Sequence, residues 1–384
     1  MDIIVLLCLL FVGLSISIFK SRLIQLILIF FAYPIFVVGI LTLGGESSRI
    51  VAAIGDSYYV EFYFKAFIYQ VITYSFFFFV LFSVRKYKFD VNILKLDSKI
   101  RLFLLILLFV LYPIAYPGVF GLSESRFGSG GSLLIVINSL LLMSRLNYRN
   151  FIDVSMVSIN LFAFFMGERA DIIILLLLVF ILKSNKGRVS ERNISNLKFL
   201  FGIVVISMAG LLSGVSRAGN GIDIDIQKII TYFISQGTAV DVIHVYLSSF
   251  WYVDNFGYSI DPILNIIFSF IPLNSIGGAS SNYNVTEILR TYIPNVGGGL
   301  FYSAFYLSGG VFSMAIFSSI FSFFIKYIFY KESLFNFLFI ALLIQQLRIQ
   351  WYGINYLGNV ISIGLIVIFF IYLINIINKK RSFI

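Results

Sequence analysis

The chain has 384 residues, of which 60% are hydrophobic and only 12% charged, with a mean hydropathy of +0.98. No soluble fold of this length hides that much apolar surface, so the composition excludes an aqueous globular protein and makes a lipid bilayer the main solvent. A net charge of +10 would suit nucleic acid as a partner, but its distribution along the chain excludes that reading.

In hydrocarbon every backbone polar group needs an internal partner, and the apolar runs are too long for barrel strands. The expected fold class is therefore all-α, a polytopic integral membrane protein forming a single domain over 1–384. Eleven apolar segments read as spans: 3–19, 23–43, 66–84, 102–120, 132–144, 151–166, 170–182, 197–213, 300–325, 334–347 and 359–378. The first resembles a signal peptide but lacks a basic start and a small-residue cleavage site, so it reads as a retained helix. Segment 132–144 is short for a span. Placing the C-terminus inside puts 20 of the 28 basic residues on the inner side, with only 5 of the 18 acidic ones. That asymmetry sets the expected orientation. It also makes 85–101 and 183–198 basic inner linkers.

The longest interruption, 214–299, is expected to be one large external loop with interfacial helices. Residues 225–250 have helical periodicity, and the short apolar run 263–272 reads as re-entrant or interfacial. The loop holds the only histidine, His244. Asp241 lies one turn before it on the same helix face, where its carboxylate could orient the imidazole as a general base. Glu287, one turn before Arg290, is either a rival base or an ion-pair partner for that arginine.

Arg169, Arg217, Arg290 and Arg348 all fall on the outer side, where basic residues are scarce. Guanidinium is a permanent cation whose planar fork takes two phosphate oxygens at once, so this set suits a pyrophosphate whose lipid tail stays in the membrane. Tyr252, Tyr292, Trp351 and Tyr352, with neighbours that include Tyr246, Tyr302 and Tyr306, offer rings on which sugars stack. One histidine and one cysteine, Cys8, exclude a zinc site, and neither a Walker loop nor a complete calcium loop is present. No metal and no cofactor is expected. The charges gather at the external ends of the spans, which disfavours a transporter.

Four stretches together carry a family likeness. Gly167-Glu-Arg169 leads an apolar helix, and Ser235-Gln-Gly-Thr-Ala-Val-Asp241 lies in the large loop. Arg290 precedes a glycine-rich turn, which runs into Phe301-Tyr-Ser-Ala-Phe-Tyr-Leu-Ser-Gly-Gly310. The pattern resembles the O-antigen polymerases. That resemblance implies a GT-C-like helical fold, shared with O-antigen ligases, in a bacterial inner membrane with the active site facing the periplasm. It implies undecaprenyl-pyrophosphate-linked oligosaccharide as substrate and a metal-independent, inverting glycosyl transfer that polymerises it. The essential charges would be loop arginines, here Arg217 and Arg290, with Arg169 and Arg348 beside them. Membrane lipid and a chain-length regulator protein would be partners, and nucleic acid would not. An O-antigen ligase, and a flippase or other transporter of lipid-linked oligosaccharide, are the alternatives.

Overall fold

The structure, a computed structural model, describes residues 2–44, 60–118, 120–122, 130–144, 150–165, 170–185, 187–215, 238–271, 284–293, 298–330 and 336–381. In chain order the helices are α1 (Asp2–Ser17), α2 (Arg22–Gly44), α3 (Val60–Leu81), α4 (Ser98–Ala115), α5 (Gly131–Ser144), α6 (Phe151–Phe165), α7 (Ala170–Ile181) and α8 (Asn196–Val215). Then come α9 (Thr238–Phe256), α10 (Asp261–Ser269) and α11 (Val285–Arg290), within the stretch read as an external loop. The last are α12 (Phe301–Tyr330), α13 (Asn336–Ile344), α14 (Gln346–Tyr352) and α15 (Asn355–Arg381). A helix stands on every predicted apolar segment.

Four of these stretches, Arg22–Leu43, Phe62–Val84, Ser98–Ala115 and Phe301–Tyr330, have the length and hydropathy to cross a membrane. Apolar stripes also face outward at helical spacing. They include Leu6, Leu10 and Leu14 on α1, Phe103, Ile106 and Val110 on α4, and Phe312, Ile316, Ile320, Phe323 and Tyr327 on α12. Such surfaces are stable in lipid and not in water; the chain is a helical membrane protein. Helix α5 is short because it never meets lipid. Leu134 through Ser144 are buried all round, enclosed by α4, α6, α13 and α15.

The all-α fold class stands, with one small sheet added to it. Strands β1 (Asp90–Asn92), β2 (Leu182–Asn185) and β3 (Arg188–Glu191) form an antiparallel sheet in the order β1-β3-β2. The two basic linkers therefore pair with each other at one end of the bundle. Their strands are too short and too polar to show a two-residue period in the sequence. Glu191 clamps this end: its carboxylate accepts from Ser21 Oγ at 2.5 Å, Arg22 N at 2.6 Å and Phe89 N at 3.0 Å. Arg101 adds a second tie, donating to Asp153 Oδ1 at 2.6 Å and to Ser144 Oγ at 3.0 Å. Both Arg101 and Asp153 are buried, so each neutralises a charge that would otherwise be costly.

The expected span 300–325 is corrected, because α12 reverses direction within itself. The rings of Phe301 and Phe321 lie 5.6 Å apart, and those of Phe305 and Phe317 stack at 4.5 Å. In one continuous helix residues 301 and 321 would be about 30 Å apart. The turn is Gly309–Gly310, where Gly310 has φ 63° and ψ −152°, a conformation open essentially to glycine alone. Residues 301–308 thus form a limb that folds back on 311–330, and the latter, about 30 Å long, is the stretch that can cross. The turn deprives the Leu307 carbonyl of its helical donor, and Ser259 N supplies one at 2.9 Å. The limb begins deep: Phe301 packs on Phe31 of α2 at 5.3 Å, and Tyr302 Oη donates to Phe31 O at 2.8 Å.

Helix α10, at nine residues, is too short to cross and packs against α12 and α15. Gly358 of α15 permits this, because a Cβ there would lie 2.1 Å from Ser269 Oγ. We expect Gly310→Ala to destabilise the protein by roughly 1–3 kcal/mol, since an added Cβ forces the turn out of its conformation. It would also lie 2.8 Å from Tyr258 Oη. Thermal melting in detergent measures this, and a wild-type melting temperature would contradict the reversal.

Candidate functional site

The limb is entered through Gly298 and Gly299. At Gly298, with φ 85°, a Cβ would lie 2.6 Å from Val242 Cγ1, so glycine is what lets this loop rest on α9. Gly299 N donates to Trp351 O at 2.8 Å, which fastens the loop to α14. The Trp351 ring lies 6.4 Å from that of Tyr33, the middle residue of α2. Helix α14 is therefore level with the middle of the bundle. It is seven residues long, bounded by a break at Gln345 and by Gly353 at φ 107°.

Arg348, on α14, donates from Nε to Asp171 Oδ1 at 2.9 Å and Oδ2 at 2.8 Å. The side chains are 17% and 4% exposed, and Tyr116 Oη also reaches Asp171 at 3.5 Å. Asp171 opens α7, whose twelve residues reach only about 18 Å from the sheet end. This corrects the expectation that the charges collect at the external ends: one ion pair lies inside. The cause is the shortness of α7, which draws its first turn into the bundle.

The other predicted residues are distributed as follows. Arg290 Nη1 and Glu287 Oε1 form an ion pair at 2.8 Å, with both side chains nearly half exposed. Of the two readings of Glu287, the ion pair is the one present. His244 is half-buried on α9, and its backbone carbonyl accepts from Ser248 Oγ at 2.8 Å. Asp241 is on the same helix, with its side chain outside the described residues. Arg169 and Arg217 also lie outside the described residues.

Three of the tyrosines read as sugar platforms are core residues. Tyr246 Oη donates to Ala66 O at 3.3 Å, Tyr302 is bound to α2, and Tyr306 stacks on Phe250 at 3.9 Å. Their apolar rings fill the bundle and face no opening. Tyr252 and Tyr292 instead form an aromatic cluster with Phe256, with ring centroids 4.4 to 5.7 Å apart. Burial, then Tyr292 and the Asp261 carboxylate, push the Tyr252 phenol above its ordinary value. Trp351 and Tyr352 lie at the mid-bundle junction.

Helices α11 and α14, which carry Arg290 and Arg348, meet at one cavity through Val285 and Tyr352. Asn265, Asn284 and Asn355 also line it. Its volume of ≈ 20 Å³ holds about one water and no sugar ring.

A search for charges overlooks the most unusual feature of α14. Gln346 and Gln350 are 0% and 1% exposed, and neither end of either amide has a hydrogen-bond partner. Gln345 Oε1 and Trp351 Nε1 are buried in the same condition. Each such atom costs roughly 1–3 kcal/mol. The sequence signal was available: Gln345, Gln346, Arg348 and Gln350 crowd one turn and a half of an otherwise apolar segment.

Comparison of the chain with protein-family models, with curated proteins and with solved structures gives no match.

Asp171→Ala should destabilise by about 3–5 kcal/mol, because it strands a buried guanidinium. Glu287→Ala should cost under about 1 kcal/mol, because its pair is exposed to solvent. Arg348→Met combined with Asp171→Leu should recover most of the first loss. Melting of the three variants in detergent tests this ranking.

Proposed function

We propose that the chain is a glycosyltransferase that polymerises undecaprenyl-pyrophosphate-linked repeat units of a surface polysaccharide such as O-antigen. Its eleven apolar segments would form a GT-C-like bundle in a bacterial inner membrane, with the sheet end in the cytoplasm and the opposite end facing the periplasm. The observation that carries this reading is the meeting of the two short helices bearing Arg290 and Arg348 beside the Gly298–Gly299 turn.

In the reaction, the bond from the donor's anomeric carbon to pyrophosphate breaks as an acceptor hydroxyl attacks that carbon. Arginine holds the pyrophosphate and stabilises the negative charge that grows on it as it leaves. Arg348 is already neutralised by Asp171, so this work falls mainly to Arg290 and Arg217. His244 accepts the proton of the attacking hydroxyl, with Glu287 as the other base in reach of the same loop. No metal is required where guanidinium supplies the positive charge.

A flippase of lipid-linked oligosaccharide is a second reading, favoured by the ion pair inside the bundle and by the folded-back limb. An O-antigen ligase would use the same chemistry with lipid A core as acceptor. Purified protein given a synthetic lipid-linked repeat unit in the presence of chelator separates these readings. Polymerase activity yields a ladder of lengthening products. A single transfer to added lipid A core marks a ligase, and translocation without new bonds marks a flippase. With Arg290→Ala or Arg217→Ala the ladder should vanish and single repeats persist, and Arg→Lys should also impair it, because the fork is lost. Wild-type chain lengths in these variants would remove the arginines from the reaction.

A further inference from the structure

We infer that the Gln346/Gln350 face of α14 is a binding site for the hydroxyl groups of a neutral sugar. This rests on the proposed glycosyl transfer and adds the residues that would recognise the glycan itself.

The two glutamines are one helical turn apart, so their side chains share a face and stand about 6 Å apart along the axis. Together they present two carbonyl oxygens and two amide nitrogens, all buried and all without a protein partner. Trp351 Nε1 and Gln345 Oε1 extend the set with one donor and one acceptor. A primary amide beside a neighbouring donor or acceptor matches vicinal hydroxyls, each of which can both give and take a hydrogen bond. An indole adds an apolar face against which sugar C–H groups pack.

The electrostatics select against a charged ligand. The one guanidinium on α14 is tied to Asp171 by both carboxylate oxygens, so it offers an anion little net charge. An uncharged, hydroxyl-rich group is what remains. Both amides are packed with no open space beside them, so a sugar is admitted only when α14 moves off its neighbours. Gly353, at φ 107°, ends the helix on one side.

Trp351 reports on the site directly. The chain has two tryptophans, so Trp251→Phe leaves Trp351 as the only indole. The full-length variant in nanodiscs would be titrated with lipid-linked repeat unit extracted from source cells lacking this gene. Bare undecaprenyl pyrophosphate is the parallel probe. The sugar-bearing lipid should red-shift and shield the Trp351 emission, and the bare lipid should not. Gln346→Met with Gln350→Met keeps side-chain length, removes the unpaired amides and should melt no lower than the parent. It should raise the half-saturating concentration at least tenfold, with Gln350→Asn as a milder second variant.

An equal response to bare lipid, or an unchanged half-saturation in both glutamine variants, overturns the inference. So does a parent protein that builds the product ladder with no change in Trp351 emission, in which case the amides merely hold water. A sugar-dependent shift that is lost in the variants, in a protein that makes no ladder, upholds the sugar site and refutes the polymerase.

Discussion

The hydrogen bond from Ser259 N to Leu307 O is small, yet the interior of this protein depends on the reversal it serves. A helix that stops inside a bundle leaves carbonyl groups without donors, and hydrocarbon supplies none. Here the protein supplies one, from the loop between α9 and α10. Gly309 and Gly310 make the turn, and the phenylalanine pairs 301–321 and 305–317 hold the two limbs together. Because the limb folds inward, its start at Gly298–Gly299 is carried to the level of Tyr33, where it meets α14. Straightened, the same residues would put that junction at the membrane surface.

Depth then decides which electrostatic effect dominates. At the surface Arg348 and Asp171 would form an ordinary ion pair of marginal worth. Inside, neither charge is tolerable alone, and the pair is held by both carboxylate oxygens. Arg348 therefore offers any neighbouring anion less net charge than the sequence suggests. The exposed Glu287–Arg290 pair is the reverse case: solvent screens it, and its guanidinium exchanges partners at little expense.

The class of the protein was legible in composition, and the helices fell where apolar periodicity put them. What escaped the sequence were long-range or quiet features. Asp171 and Arg348 are 177 residues apart, and nothing local links them. Gly309–Gly310 reads as a tolerable weakness in a helix, about 1 kcal/mol per glycine, until the phenylalanines on either side are seen to pair. The strands are three or four residues of polar linker. Tyr246, Tyr302 and Tyr306 looked like binding surfaces because tyrosine is amphipathic. Instead the hydroxyls of Tyr246 and Tyr302 are absorbed by backbone carbonyls, and the Tyr306 ring is stacked on Phe250. The glutamines of α14 were missed for a different reason: neutral polar residues stand out less than charges, although burial without a partner is costly for them too.

The two ends of the bundle are built on opposite principles. At the basic end the elements are tied redundantly. Glu191 accepts three hydrogen bonds from two segments, the sheet crosslinks two linkers, and Arg101 joins α4 to α5 and α6. From the middle outward the elements are short: α10, α11 and α14 run from six to nine residues. Local opening costs least where few contacts must be given up together, which in this half describes the half-exposed α11 and not the buried limb. The bundle thus joins a base that is tied redundantly to an outer half assembled from short pieces.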